Sequence, residues 1–518
     1  MNNREYWQIR ALLQEQAAKE KGSKFLKDLA KMYNISLKEI QKDIEKWFKR
    51  YAKEEGIALE EAKRLLTAKE TIGYQLAMEQ VIDEAENKYF QKYLRHKYMS
   101  ERITRLDSLK NQVSVQLELL AESKDVQTFE YLKSTYKDNV FLNKSNINIE
   151  STFHKFSETA IEETVLKPWS GKSFSDRIWT DTEKLIDEVQ EVISVGLVQG
   201  HDIDKMSKKI ARRMEVSQNR AKTLVRTETN YILSQATFDT YENFNVEKYE
   251  FLATLDYKTS EICQSLDKEV FFVKDRQVGL NCNPMHPNCR STTIPYFEDG
   301  VEGMRIAKGV DGKSYYIKDS ISYREWYDSL STEERKQLEV LKKKDKNRNS
   351  DGLQYGRYKK LIGKDNIPKT FDEFQNLKYN DSEKWKLIVA DYKRKNRLIK
   401  NPETILPNVE KVTIDDRKFT HYLFGGAIAK GLEKGKLITE KLGYGIDNFD
   451  RFKQEILEKA SQYPVSLKKE DRFGKRYEQR IFLYNNNQEP INLEVGWLVD
   501  GDKTHLTSIY ITEVKRWK

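Results

Sequence analysis

All three cysteines of the 518-residue chain lie within one short window, and this clustering is the strongest constraint on how the chain can fold. They are Cys263, Cys282 and Cys289, and one of only six histidines, His286, lies between the last two. Three thiolates and one imidazole make a complete tetrahedral ligand set for zinc. A bound metal can stabilise a small module that lacks a large core of its own. The pattern therefore predicts a structural zinc site at these four residues.

Two other interpretations of the cysteines compete with zinc. A disulfide framework is disfavoured because an odd number of cysteines leaves one thiol over. The chain also opens on charged helical sequence without the pattern of a signal peptide, so we expect a reducing cytosol, where clustered cysteine and histidine more often bind metal. The remaining alternative is ordinary buried thiols beside a histidine in a turn. Because four protein ligands leave no open position, we do not expect a catalytic zinc.

Composition sets the broad class. Charged residues make up 33% of the chain and apolar residues 38%, with only nine prolines, which is typical of a soluble, helix-rich protein of three or four domains at this length. No apolar run approaches the roughly 20 residues that a membrane-spanning helix needs, so we expect no membrane partner. The net charge of +9 permits contact with nucleic acid or an acidic protein but requires neither.

Apolar spacing predicts a mainly α N-terminal region over residues 1–140. Ser36 and Glu39 fit a capping box that would begin a helix, and Gly56 would end it. The apolar residues that follow the cap at helical spacing are Leu37, Ile40, Ile44, Trp47, Phe48 and Tyr51. Residues 141–300 are predicted to combine further helices with a small mixed α+β metal-knot module around the cysteines.

The second half of the chain differs from the first in composition and in its predicted secondary structure. Residues 301–405 are polar and charged, and we interpret them as an extension and linker, with a flexible loop from Lys342 to Gly352. Residues 406–518 are predicted to form a C-terminal α+β domain, in which helices precede a β-hairpin.

Several motifs of the first 300 residues occur in an order that resembles a known family. They are Trp169-Ser-Gly followed by Arg177-Ile-Trp, Arg226-Thr-Glu228, Cys263 followed by Asp267, and Pro284 with His286-Pro-Asn-Cys289-Arg290. In this order they resemble the head morphogenesis family of tailed phages, the minor head (Mu F-like) proteins. With a further similarity at Tyr358 to Pro368, the resemblance covers roughly residues 1 to 400.

The resemblance implies a virion structural protein that acts in head assembly and in DNA packaging or delivery. Such a protein is made in the host bacterial cytoplasm and lies in the capsid interior near the portal. Its expected partners are the portal protein, capsid or scaffold proteins and phage double-stranded DNA.

The resemblance also carries over a candidate site. The matching positions are Cys263, His286 and Cys289, with Asp256 or Asp267 as polar support. Cys282 departs from the family pattern and favours a four-ligand zinc site in this chain. We interpret Arg226 and Glu228 as a structural ion-pairing motif in which each side chain has its own partner, since two residues apart on a helix they face different directions. The alternative is contact with the portal or with DNA phosphate.

The last hundred residues resemble a different group, the small barnase–EndoU–colicin–RelE toxin domains. The residues that carry this resemblance are His421-Tyr-Leu, Lys430-Gly, Lys436, Leu442-Gly-Tyr444, Phe473 to Tyr477, Val495-Gly-Trp497 and Thr507. The resemblance implies a metal-independent ribonuclease with an RNA substrate and an immunity protein as partner. Such a domain that has lost catalysis would serve as a binding module.

Metal-free RNA cleavage requires an acid, a base and cations for the phosphorane. The candidate catalytic residues are His421, Lys430, Tyr477, Arg480, His505 and Thr507. The two histidines would supply the acid and the base, Lys430 with Arg480 or Arg476 would hold the phosphate, and the two hydroxyls would bond to it. In the structural alternative, His421 caps a helix and His505 lies on an exposed loop.

Three functional hypotheses follow. The chain is a structural minor head protein with a C-terminal effector domain, a secreted or virion-delivered nuclease toxin for which the head region is only a carrier, or a zinc-dependent nucleic-acid-binding module.

Overall fold

The computed structural model describes most of the chain. The described residues are 3–51, 59–100, 102–144, 157–296, 303–426 and 428–513. The chain divides into two compact units, Met1–Ser331 and Thr332–Lys518. The fold class agrees with the prediction, since a mainly helical N-terminal region is followed by small sheets and then by a C-terminal region with a five-stranded sheet.

The first unit is built on long helices. They are α1 (Asn3–Tyr51), α2 (Leu59–Lys63), α3 (Ala68–Ile82), α4 (Lys88–Tyr98), α5 (Arg105–Lys144), α6 (Glu158–Leu166), α7 (Phe174–Val198), α8 (Ile203–Asn243), α9 (Glu261–Leu266) and α10 (Tyr323–Ser329). Helices α1, α5, α7 and α8 pack side by side around one continuous apolar core. The helical periodicity of residues 1–140 therefore predicted this region correctly.

The capping box predicted at Ser36 and Glu39 is wrong. Helix α1 runs through both residues without a break, and the buried hydroxyl of Ser36 donates a hydrogen bond to the Gln116 carbonyl of α5 at 3.4 Å. The reason is packing, because the apolar stripe of α1 begins before this position and continues past it. The predicted stop at Gly56 lies outside the described residues.

A small sheet follows α8 in the first unit. Strands β1 (Lys248–Leu252), β2 (Val270–Phe272) and β3 (Thr292–Pro295) form an antiparallel sheet in the order β2-β1-β3. A 3₁₀ turn, Val273–Asp275, follows β2, and β4 (Met304–Lys308) pairs with β5 (Ser314–Lys318) in a separate hairpin. Together with α9, these short strands make the small mixed module that the sequence predicted around the cysteines.

The second unit contains six α-helices and a mixed sheet among its described residues. The helices are α11 (Thr332–Lys346), α12 (Arg348–Ile362), α13 (Phe371–Asn380), α14 (Ser382–Lys400), α15 (Ala429–Leu442) and α16 (Phe449–Ala460). The strands are β6 (Val412–Thr413), β7 (Val465–Asp471), β8 (Gly474–Tyr484), β9 (Pro490–Asp500) and β10 (Lys503–Ile511). A π-helix spans Lys418–Leu423, and 3₁₀ turns span Pro402–Thr404, Val409–Lys411 and Ile446–Asn448.

The five strands run in the order β6-β10-β9-β8-β7, antiparallel except for the short parallel pair of β6 and β10. The predicted hairpin is present as β8 and β9, with Ile481 opposite Leu493. One face carries Gln479, whose amide donates to the Ala460 carbonyl at the end of α16 at 2.8 Å. The opposite face is covered in part by α14, whose Arg394 guanidinium lies 4.7 Å from the Phe482 ring centroid.

The predicted flexible loop from Lys342 to Gly352 is helical, because it forms the end of α11 and the start of α12. Asp351 explains the difference. Its fully buried carboxylate accepts hydrogen bonds from Lys378 at 2.6 Å, from Gln375 at 2.9 Å and from Tyr379 at 2.9 Å. Burial opposes the charged form, yet the hydrogen bonds from Gln375 and Lys378 hold the pKa of Asp351 below its ordinary value.

The predicted linker up to residue 405 also belongs to a folded unit. Helix α14 packs against the sheet, and its buried Asp391 accepts hydrogen bonds from Tyr463 at 2.7 Å and from Tyr484 at 2.6 Å. The compact unit therefore begins at Thr332, well before the boundary expected at residue 406. Among the described helices of both units, none is both long enough and apolar enough to span a bilayer.

Candidate metal site

Cys263, His286 and Cys289 bring their donor atoms together in the first unit. The two sulfur atoms are 3.8 Å apart, and the sulfur of Cys263 lies 3.4 Å from Nε2 of His286. All three donor atoms lie within 4.8 Å of one another. A tetrahedral zinc about 2.3 Å from sulfur and about 2.0 Å from nitrogen separates two sulfurs by about 3.8 Å and sulfur from nitrogen by about 3.5 Å. The two donor separations that involve Cys263 are thus close to those that zinc requires.

Local structure orients each donor. Cys263 lies in the first turn of α9, where its backbone N–H donates to the hydroxyl of the N-cap residue Ser260 at 3.3 Å. Nδ1 of His286 lies 2.9 Å from the Pro287 carbonyl oxygen. Since that carbonyl can only accept, Nδ1 carries the proton and Nε2 presents its lone pair toward Cys263. This is the arrangement by which proteins orient a metal-binding histidine.

The two clustered thiols share a proton. The sulfur atoms of Cys263 and Cys289 are joined by an S–H hydrogen bond, which lowers the pKa of Cys289 to about 5 despite its burial. The same hydrogen bond and burial raise the pKa of Cys263 above its ordinary value. One thiolate is therefore available at neutral pH, and a bound metal would displace the remaining proton.

Cys282, the predicted fourth ligand, is not a member of this set. It is fully buried in a separate apolar cluster, and burial raises the pKa of its thiol to about 11. The other members of that cluster are Phe238, Tyr241, Tyr249 and Val273. Three ligands leave the fourth position of a tetrahedral metal unfilled by these residues, so the ligand count no longer speaks against a catalytic metal.

The two aspartates expected to support the site hold the backbone around it. Asp256 accepts two hydrogen bonds from Arg290, the neighbour of Cys289, at 2.5 and 2.7 Å. Burial opposes the charged form of Asp256, but Arg290 lowers its pKa below the ordinary value. Asp267, directly after α9, pairs with the buried Arg305 at 2.9 and 3.0 Å. Both carboxylates therefore fix the ends of the segments that carry the donors.

Helix α8 is the platform for the loop that carries His286 and Cys289. The hydroxyl of Thr227 accepts a hydrogen bond from the backbone N–H of Asn288 at 3.0 Å. One turn further along the helix, the amide of Asn230 donates to the Ser291 carbonyl at 3.2 Å. These bonds attach both ends of the Cys289 segment to one rigid helix.

A groove of about 640 Å³ lies beside His286, between α7, α8 and the segment after Trp169. The Trp169 indole N–H donates to the Glu228 carboxylate at 2.8 Å, and the indole stacks on Tyr231 with centroids 4.8 Å apart. Glu228 is only 3% exposed, and burial raises the pKa of its carboxyl group. Glu228 therefore bonds to the Trp169 indole rather than to the cation of an ion pair. Arg226 is exposed.

The motifs around Trp169, Arg226 and His286 are distant in sequence, and the structure brings Trp169, Glu228 and His286 to one groove. The sequence identified these residues individually but did not predict their contact. The Trp169–Glu228 hydrogen bond has no local sequence signal because its partners are 59 positions apart.

The six candidate catalytic residues of the second unit lie on four elements. Their places are the π-helix (His421), the first turn of α15 (Lys430), β8 (Tyr477 and Arg480) and β10 (His505 and Thr507). Tyr477 and Arg480 are three positions apart on a regular strand, so they point to opposite faces of the sheet. Arg480 forms ion pairs with Glu478 at 2.8 Å and Glu494 at 3.4 Å.

The local structure of the two histidines differs from the structural alternative expected for them. His421 is exposed within the π-helix and bonds to the Thr420 hydroxyl through Nδ1 at 3.0 Å, so it is not a helix cap. His505 is half-buried in β10 opposite Leu498, so it is not on a loop. Leu498 pairs in turn with Arg476, which places His505 and Arg476 on one face of the sheet.

Comparison with known proteins gives two family matches. Residues 187–294 match the family model described as Phage Mu protein F like protein, and residues 405–513 match one described as a domain of unknown function (DUF6883). The first match supports the resemblance to phage head proteins, and its range includes all the metal donors. The resemblance of the C-terminal domain to the toxin group remains a prediction.

A curated relative is the NAD(+)--arginine ADP-ribosyltransferase EFV of Enterococcus faecalis (strain ATCC 700802 / V583). It is 29% identical over 197 residues, which cover 35% of this chain and 39% of the relative. The chain therefore spans about two fifths of the length of the relative that it matches. No solved structure matches the chain significantly.

We predict that the purified chain binds one zinc ion, which Cys263→Ser or Cys289→Ser abolishes because each removes a thiolate ligand. Cys282→Ser, the matched control, should retain the metal. Native mass spectrometry with elemental analysis measures the stoichiometry. A metal-free chain, loss of zinc in Cys282→Ser, or a Cys263–Cys289 disulfide in protein purified without oxidant would contradict the three-ligand site.

Proposed function

We propose that this chain is a minor head protein of a tailed phage, acting in head assembly and in DNA packaging or delivery. It would lie in the capsid interior near the portal, in contact with the portal protein, capsid or scaffold proteins and phage DNA. The observation that supports this proposal is the position of the Mu F-like match, residues 187–294, on the part of the first unit that contains α8 and the three metal donors.

The structure suggests what the metal would contribute to such a protein. The loop with His286 and Cys289 has little regular secondary structure, and its attachments include hydrogen bonds to α8 and the pairing of Arg290 with Asp256. A metal bound there would join α9 to this loop and hold the groove beside His286 in shape. We therefore assign the metal a structural role in presenting this surface to head partners.

Particle assembly tests the head proposal. We expect phage that carry the chain with Cys263→Ser and Cys289→Ser together to yield fewer heads, by at least about tenfold, because a module that depends on its metal unfolds without it. Cys282→Ser should assemble normally, and so should a chain ending at Ser331, because that boundary leaves the first unit whole. Counting filled particles by electron microscopy measures the yield. Normal yields from the double variant would refute the role of the site.

We further propose that residues 332–518 act as an effector unit, with RNA as substrate and an immunity protein as partner. The observation that supports this second function is that the unit has an apolar core of its own. The curated relative is named for an enzyme activity, but its match has no assigned position in this chain and covers a minority of the relative's length. If the effector unit were the main functional part and the head region only its carrier, the chain would be a virion-delivered toxin.

Three of the basic side chains considered for RNA cleavage lie on the same face of the sheet. His505 and Arg476 share one face, with Arg480 further along the same face of β8. In metal-independent cleavage, a base removes the proton of the 2′-hydroxyl, the oxygen attacks phosphorus, and an acid protonates the leaving 5′-oxygen. His505 and His421 are the candidates for these two proton transfers, and Arg476 is the candidate cation for the phosphorane.

Expression of the full chain in a bacterial host tests the effector proposal. We expect growth arrest with cleaved RNA, relieved by His505→Ala because a proton-transfer group typically contributes about 10² to 10⁴ in rate. His96→Ala, an exposed histidine of α4 in the first unit, is the matched control and should remain toxic. Intact RNA in cells that express the folded wild-type chain, or equal cleavage by His505→Ala, would refute this function.

A further inference from the structure

The second unit contains a groove of about 1200 Å³ between α14 and the ends of β9 and β10. Five cationic side chains line it, against two acidic ones, Glu383 and Glu513. The cations are Lys386, Lys393, Arg394, Arg397 and Lys441. We propose that this groove binds the phosphate backbone of a single-stranded nucleic acid.

The cations of α14 form a continuous line along the groove. Lys386, Lys393 and Arg397 are exposed and are separated by seven and four residues, so they share one face of the helix. This line spans about 16 Å at the rise of an α-helix. Lys386 pairs with Glu383 at 2.5 Å, but both side chains are exposed, so water and salt screen the pair.

Arg394 adds a buried positive charge beneath this line. It is only 6% exposed, and its Nη1 donates to Oδ1 of Asn492 at 2.5 Å. Among the described residues, its Nε and Nη2 atoms have no hydrogen-bond partner. An amide neutralises no charge, so the guanidinium contributes uncompensated positive charge to the groove wall.

The nearest buried acid does not cancel that charge. Asp391 lies one turn before Arg394 and accepts hydrogen bonds from Tyr463 and Tyr484. It also lies 4.0 Å from the ammonium group of Lys395, which is buried as well. The buried group of Asp391, Arg394 and Lys395 therefore has one more cation than anions. An anionic ligand is the occupant that this balance favours.

The apolar part of the groove favours a nucleic acid strand over an acidic peptide. Trp385 lines the groove with Pro490 and Ile491, stacks on Tyr358 with ring centroids 5.8 Å apart, and has the Lys378 ammonium group 5.7 Å from its own centroid. Bases stack on such a fixed aromatic side chain, while cations follow the backbone. The bases of a duplex are already stacked and paired, so the ligand is a single strand.

This inference gives the proposed effector unit its ligand class and to that extent rests on the effector proposal, but binding and cleavage are separable. The groove residues do not include His421, Arg476 or His505. A chain that binds RNA without cleaving it would refute the effector function alone, and a chain that cleaves RNA without using the groove would refute the groove alone.

Fluorescence anisotropy with the full chain tests the groove, using labelled oligouridylate and oligothymidylate of about 12 nucleotides. We expect binding that weakens as salt rises from roughly 50 to 200 mM. Lys386→Glu with Lys393→Glu should weaken binding at least about tenfold, and the salt slope should fall by about 1.4 for two lost phosphate contacts.

Lys400→Glu is the matched control, because Lys400 is an exposed cation at the end of the same helix and does not line the groove. It should bind within about twofold of the wild type, since Lys400 is exposed and contributes no side chain to the groove lining. Circular dichroism checks that each variant is folded. Absence of oligonucleotide binding, equal binding by the double variant, or equally tight binding of a polyglutamate peptide would overturn the proposal.

Discussion

The candidate metal site depends most on the hydrogen bonds that the buried carboxylate of Asp267 accepts. It accepts two hydrogen bonds from the buried Arg305, one from the backbone N–H of Ala253 at 2.7 Å and one from that of Tyr323 at 2.7 Å. One side chain thus joins the end of α9, the end of β1, β4 and the start of α10. Removing one partner of such a buried pair typically costs about 3–5 kcal/mol, because the other charge is left unpaired. Since α9 carries Cys263, the hydrogen bonds of Asp267 determine where this first metal donor lies.

The second unit also contains buried carboxylates that accept several hydrogen bonds. Asp351 joins α12 to α13, and Asp391 joins α14 to the sheet through Tyr463 and Tyr484. A buried carboxylate is stable only when several donors satisfy it, so each of these residues fixes the elements around it. Arg394, also on α14, has a single hydrogen-bond acceptor among the described residues, and this difference leaves positive charge in the wall of its groove.

Helical periodicity predicted the long helices of the first unit, because their apolar stripes are long and regular. The clustering of cysteines predicted a metal site but did not predict which of the thiols would lie together in it. Which thiols meet depends on the docking of the loop onto α8, and Cys282 lies in a different apolar cluster. The helix formed by the charged run near Asp351 depends on Lys378, 27 residues away, and no local pattern reports such a contact. Arg394 was missed for a related reason, since a basic helix face looks solvated until its packing is known.

We propose that a head-protein scaffold and a separate unit travel together in one particle, which quantitative peptide mass spectrometry of purified phage heads can measure. We expect peptides from residues 187–294 and 405–513 in equal amounts, at few copies per head. A chain that is abundant in the lysate but absent from heads, or heads that contain only one of the two regions, would contradict it.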